Sequence, residues 1–247
     1  MTDNVTMKAK DKMFVALDVE TPEQALELVQ ALSDYTRMFK VGAKLFTKAG
    51  PDLVRELVAF DAKVFLDLKF HDIPNIVAAA SAEAARLGVY LFTVHAVGGR
   101  QMMLQAVEAT AAVAEKSGCG RPLIVGVTVL TSADGGTLRE IGVERSVEDQ
   151  VASLARLCAE SGLDGVVASP HEVRLVKTSV AKSDFLVVTP GVRPTDDSTD
   201  DQRRVMTPAE AIKAGANYLV VGRPITGAPD PVLAACRILE QIESALP

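Results

Sequence analysis

The stretch Lys63-Val-Phe65-Leu-Asp67-Leu-Lys69-Phe-His71-Asp72-Ile73-Pro-Asn75 sets charged residues into an apolar run that otherwise reads as a buried strand. Side chains two apart on a strand share a face. Val64, Leu66 and Leu68 therefore take one face, and Phe65, Asp67 and Lys69 the other. A carboxylate and an ammonium held among apolar neighbours are costly unless they are paired and hydrogen-bonded. By itself the segment is either a salt-bridged strand end or a place where chemistry is done. The remainder of the chain has to separate the two.

Working outward, seven more short apolar runs alternate with longer helical patterns. The strand-like runs are Met13–Asp18, Met38–Val41, Lys63–Lys69, Leu91–His95, Leu123–Val129, Gly165–Ala168, Phe185–Thr189 and Tyr218–Val221. Their shortness and β-branched content mark them as strands. Between them lie helix starts. Thr21-Pro22-Glu-Gln24 is a cap, an N1 proline and a capping-box glutamine. Pro51, Pro74, Ser146, Thr207-Pro208 and Pro229-Asp230-Pro231 open later helices, and Gly88, Gly118, Gly162 and Gly215 stand where helices hand over to strands. Strand–helix alternation of this kind means a parallel sheet with right-handed crossovers.

Eight such units in 247 residues match an α/β (β/α)8 TIM barrel in a single domain, for which roughly 250 residues is typical. An open doubly wound sheet is the alternative, but it usually carries a glycine-rich fingerprint after its first strand. Here that position reads Leu17-Asp18-Val-Glu-Thr21. The barrel is expected to occupy 12–247 behind a polar tail, 1–11. Two connections are long, Thr131–Arg145 and Pro190–Met206, and long loops in compact domains are usually functional or disordered.

Composition narrows the partners. Hydrophobic residues make up 48% and charged residues 23%, an ordinary globular balance. Lys and Arg number 26 against 32 Asp and Glu, and this net −6 argues against a nucleic-acid or anionic membrane surface. Trp is absent and aromatics are only 4%, so there is no platform for stacking bases. Cys119, Cys158 and Cys236 form no metal-ligand spacing or disulfide framework, and three reduced thiols suit a cytoplasmic protein. The N-terminus lacks a signal-peptide core, and no run is long enough to span a membrane.

Catalytic side chains of a barrel lie at the C-terminal ends of its strands. In order, those ends supply Asp18, Lys40, Asp67 with Lys69, His95, Thr131-Ser132, Ser169-Pro170, Pro190-Gly-Val-Arg193 and Gly222-Arg223. Asp18, Lys40, Asp67 and Lys69 would converge in one mouth with alternating signs, each keeping its neighbour ionised. An apolar core has no use for four inward charges, so this pattern is a site. A lysine anchored between carboxylates suits proton donation to a carbanion. Gly222-Arg223 falls where barrels commonly bind phosphate, and Arg193 and Gln202 on the long seventh connection would close over it. His71 is expected to orient backbone, His95 to support the site and His171 to be solvated. Gly98-Gly99-Arg100 reads as a turn, and Met102 and Met103 as packing.

Together these residues resemble the orotidine 5'-phosphate decarboxylases of the bacterial type. The matching motifs are Ala16-Leu-Asp18, Phe39-Lys40-Val-Gly42, Phe65 through Asn75, Leu130-Thr131-Ser132, Val188-Thr-Pro190-Gly-Val-Arg193, Asp201-Gln202-Arg-Arg-Val205 and Val220-Val-Gly222-Arg223-Pro-Ile225. The Asp-x-Lys-x-x-Asp-Ile-Pro-Asn run is specific, and each other motif alone would be weak. The resemblance implies metal-free, cofactor-free decarboxylation of orotidine 5'-phosphate to UMP. It implies Lys69 as proton donor to C6, Asp67 facing the departing carboxylate, and Asp72 contributed by the other subunit of a homodimer. Asp18 and Lys40 would hold the ribose, Thr131 and Ser132 the pyrimidine, and Arg193, Gln202, Gly222 and Arg223 the phosphate. Ile73, Ile76 and Pro190 also fall at substrate-contact positions. Ile76 stands where the family usually has Thr, so one hydrogen bond worth roughly 0.5–1.5 kcal/mol is absent. Weaker binding is expected from this, with turnover retained.

Two alternatives differ in what they demand of the mouth. A Mg²⁺-dependent sister decarboxylase acting on 3-keto-L-gulonate 6-phosphate keeps a similar Asp-x-Lys run but carries a carboxylate in place of Lys40, whose ammonium would repel the metal. A non-catalytic phosphate-binding barrel would not need the complete charged array.

Overall fold

Residues 9–194 and 206–246 are described by the computed structural model of the chain. Eight parallel strands close into a barrel in chain order, β1 (Met13–Ala16), β2 (Met38–Gly42), β3 (Lys63–Phe70), β4 (Leu91–His95), β5 (Leu123–Val127), β6 (Gly165–Val167), β7 (Leu186–Pro190) and β8 (Tyr218–Val221). The seam between β8 and β1 is an ordinary parallel pairing, with Met13 opposite Leu219 and Val15 opposite Val221. Every expected strand is present, with ends displaced by up to two residues. β1 stops at Ala16 because the chain turns there, Asp18 N–H donating to Ala16 O at 2.9 Å. Asp18 is thereby lifted off the strand and onto the rim.

Alternation builds two apolar layers from the same strands. Phe14, Ala16, Met38, Phe65, Leu91, Val125, Val188 and Val220 fill the barrel interior. Their neighbours Val15, Phe39, Val64, Leu66, Phe92, Ile124, Val187 and Leu219 face the surrounding helices. The helix starts read from sequence are those observed. Thr21 and Gln24 form a reciprocal capping box on Pro22–Leu32, and Ser146 and Asp230 cap Val147–Glu160 and Pro231–Glu243. Gly88, Gly118, Gly162 and Gly215 all adopt positive φ at helix ends.

The pattern-based reading missed three things. The helix that Pro51 opens is preceded by another, and the two abut within Ala43–Ala59 at Gly50, whose φ of 68° and ψ of −168° no helix interior allows. The long fifth connection holds a short helix, Gly135–Glu140, capped by the Asp134 side chain. At the other end, residues 9–11 are already tied down: Ala9 is buried in the core, and Lys10 O accepts from Thr36 Oγ1. Among the described residues no helix is long and apolar enough to cross a membrane. All three cysteines are free.

Candidate active site

The C-terminal ends of the strands surround a cavity of about 570 Å³. Its wall carries Asp18, Lys40, Asp67 and Lys69 together with Thr131, Pro190, Arg193, Gly222 and Arg223. Four charges form a continuous chain. Lys40 Nζ lies 3.2 Å from Asp18 Oδ1 and 3.8 Å from Asp67 Oδ2, and Lys69 Nζ lies 2.9 Å from both Asp67 oxygens. Burial grades along it. The Lys40 and Asp67 side chains keep 11% and 14% of their exposure, Lys69 36% and Asp18 52%. The inner pair is therefore fixed, while the outer members reach solvent and any bound molecule.

Local backbone geometry places these groups. β3 and β4 slip in register, so that Leu66 to Phe70 on one strand spans only Phe92 to Val94 on the other. Lys69 lies within that slip at φ 52°, a left-handed conformation that costs a residue with a Cβ about 1–3 kcal/mol. Simple alternation put Lys69 on the correct face, but it gave no hint of this bulge. Lys69 N–H donates to Thr93 Oγ1 at 2.8 Å, and the Thr93 hydroxyl donates to Asp67 Oδ1 at 3.1 Å. On β2, Gly42 leaves room for the array, since a Cβ there would lie 2.9 Å from Lys40 Nζ. Thr93 and Gly42 were not among the expected site residues. Gly42 closes the Phe39-Lys40-Val-Gly42 motif, whereas Thr93 looks like any β-branched strand residue.

Other expected residues divide. Arg193 is buried, and its backbone N–H donates to Met206 O at 3.1 Å, which anchors the start of the seventh connection. Gln202 lies outside the described residues. Ser132 is exposed and is not part of the cavity wall, unlike Thr131. Asp72 is exposed beyond the strand, and its carboxylate accepts from the Ile73 N–H at 2.6 Å. Ile73 and Ile76 flank the first turn of Pro74–Arg86, 61% and 49% exposed, and both also stand away from the cavity wall. Asp72, Ile73 and Ile76 thus form one exposed strip beside the mouth.

The histidines separate in the same way. His95 is half-buried and packs ring to ring at 5.4 Å with the exposed His71, whereas His171 is exposed elsewhere on the fold. Burial lowers the His95 pKa, with further lowering from His71 and Lys69 and an opposing pull from Asp67. Met102 and Met103 are buried packing residues, as expected. Among the described residues no three His, Cys, Asp or Glu side chains gather as a metal-holding group.

Known proteins with this architecture share the sequence as well. A sequence model of the Orotidine 5'-phosphate decarboxylase / HUMPS family matches residues 11–238. Orotidine 5'-phosphate decarboxylase of Syntrophotalea carbinolica is 54% identical over 97% of this chain and 98% of its own length. That of Moorella thermoacetica is 52% identical over 98% and 96%. Among solved structures, orotidine 5'-phosphate decarboxylase from Lactobacillus acidophilus superposes with a TM-score of 0.83 at 38% identity, covering 94% of this chain and 99% of that one. The chain belongs to the orotidine 5'-phosphate decarboxylase family.

Proposed function

We propose that this chain decarboxylates orotidine 5'-phosphate to UMP and CO2, the last step in making the pyrimidine nucleotide. The observation that carries the reading is the alternating chain Asp18–Lys40–Asp67–Lys69 on the wall of a cavity that also presents Arg193 and Arg223. The bond from C6 to the carboxylate breaks, its electron pair stays on C6, and the Lys69 ammonium delivers the proton that C6 takes up. Asp67 is held within 2.9 Å of that ammonium and faces the substrate carboxylate. Two like charges brought together there repel, and release of neutral CO2 removes the repulsion.

Asp18 and Lys40 take the ribose hydroxyls, and Thr131 and Ser132 the pyrimidine. Pro190 contributes to the same wall, while Arg193, Gln202, Gly222 and Arg223 hold the phosphate. Binding energy from that remote phosphate lowers the barrier at C6 when it is used to close the site. No metal or cofactor is needed. Lys40, set between Asp18 and Asp67, places an ammonium where a divalent ion would have to approach, and this disfavours the Mg²⁺-dependent alternative.

Asp72 serves the site of a second copy in a homodimer, with Ile73 and Ile76 beside it. Its exposure beyond the strand end supports that role. The three free cysteines are in keeping with a cytoplasmic enzyme. The direct test is release of CO2 and UMP from orotidine 5'-phosphate by purified protein in the presence of a chelator. Loss of activity with EDTA and recovery with Mg²⁺ would overturn the reading. For Asp72, mixing inactive Lys69→Ala and Asp72→Ala proteins should restore part of the activity, through hybrid dimers that own one intact site. Recovery no greater than the sum of the parents would remove Asp72 from the neighbouring site.

A further inference from the structure

We propose that Thr93 is a positioning residue for the decarboxylation, its one hydroxyl holding the Asp67 carboxylate and the Lys69 backbone in a single arrangement. The inference rests on the decarboxylase reading above. Thr93 is fully buried on β4 and is not part of the cavity wall, so it acts only through its two partners. Its oxygen accepts from Lys69 N–H at 2.8 Å and its hydrogen goes to Asp67 Oδ1 at 3.1 Å. The single proton of the hydroxyl and one of its lone pairs are thereby committed to two members of the charged array.

The need for such a hydroxyl follows from the backbone. Lys69 stands at φ 52° inside the register slip between β3 and β4, where regular ladder geometry is interrupted. A residue held in a sparsely populated conformation persists only where its surroundings over-determine it. The hydrogen bond from its own N–H to a side chain on the next strand is such a determinant. Asp67 Oδ1 receives both this hydroxyl and the Lys69 ammonium, which fixes the plane of the carboxylate as well as its position. Threonine suits the task because branching at Cβ leaves few χ1 choices, so the hydroxyl is aimed before any substrate arrives.

The consequence is confined to the reacting end of the substrate. Phosphate and ribose contacts come from other strands, and Lys40 meets Asp67 at Oδ2, 3.8 Å away, rather than at the Oδ1 that the Thr93 hydroxyl holds. Removing the hydroxyl should therefore change kcat and spare KM. The experiment compares wild type with Thr93→Val, Thr93→Ser and Thr93→Cys, measuring kcat, KM and inhibition by UMP. Thr93→Val should lose about tenfold to a hundredfold in kcat, the scale expected for small misplacements of catalytic groups. KM and UMP inhibition should stay within about threefold, and Thr93→Ser should keep kcat within about threefold of wild type.

Thr93→Cys replaces the hydroxyl with a weak donor of similar size, and it carries the same expectation as Thr93→Val if the latter fails to fold. Wild-type kcat in Thr93→Val or Thr93→Cys would overturn the proposal. So would a loss in Thr93→Ser as large as in Thr93→Val, or a loss confined to KM. Failure of wild type itself to release CO2 would instead overturn the decarboxylase reading.

Discussion

The floor and the mouth of this barrel are built by the same strands, two residues per step, and they are chemical opposites. At the floor, Phe14 packs edge-on to Phe65 at 5.3 Å and to Tyr218 at 5.4 Å, and the Tyr90 and Tyr218 hydroxyls share a hydrogen bond of 2.8 Å. At the mouth, β1 leads on to Asp18, β2 carries Lys40 and β3 presents Asp67 and Lys69. The floor resolves burial by staying neutral. Burial raises the Tyr218 pKa well above the usual phenol range, and its hydrogen bond to Tyr90 raises it further, so the Tyr218 hydroxyl stays protonated. The mouth keeps its charges and balances them against one another. Apolar packing fills the floor, and backbone strain and charge gather at the mouth, where the proposed reaction would take place.

Substitutions at the two ends should come apart accordingly. Lys69→Ala should give the largest effect, a fall in kcat of about 10²–10⁴, the usual contribution of a positioned proton donor. Its thermal midpoint should barely move, since the side chain is a third exposed and the residue already occupies a strained conformation. Steady-state kinetics alongside a melting curve checks both halves, and activity near wild type would erase the distinction between the two ends. Phe14→Ala should do the reverse. Emptying a fully buried ring costs about 3–5 kcal/mol, seen as a fall of roughly 6–20 °C in the melting temperature, with kcat at 25 °C little changed.

Tyr218→Phe tests the floor more gently. It leaves the Tyr90 hydroxyl without its partner and should cost about 1 kcal/mol in denaturant unfolding, with no effect on turnover. The smallest effect is expected at His95. Its folded pKa lies below the ordinary 6.5, so the unfolded chain binds more protons as pH falls through that value, and stability drops toward the lower, folded pKa. His95→Gln should therefore lose less stability than wild type between about pH 7.5 and pH 5.5, a window that spans the ordinary imidazole pKa. An identical slope in the two proteins would mean that His95 titrates normally.

Much of this was legible because strand periodicity is so simple. Asp67 and Lys69 are two apart, and Asp18 and Lys40 end apolar runs, so a shared mouth followed once eight strands were counted. Thr93 was illegible for a physical reason. Nothing distinguishes a β-branched residue that fills space from one whose hydroxyl bonds across a register slip 24 residues away. Asp72 was legible as a charge beyond a strand but not as a member of this array, and it stands outside it in the fold.

The amino-acid sequence alone determined the strand count, the closed parallel barrel, the four converging charges and the family, because these depend on local periodicity and on motifs short enough to read along the chain. Only the tertiary structure decided the left-handed turn at Lys69, the hydroxyl from β4 that holds it, and the space that Gly42 leaves beside Lys40. Those features arise where neighbouring strands fall out of register or approach within contact distance, and such relations exist only after the chain has closed on itself.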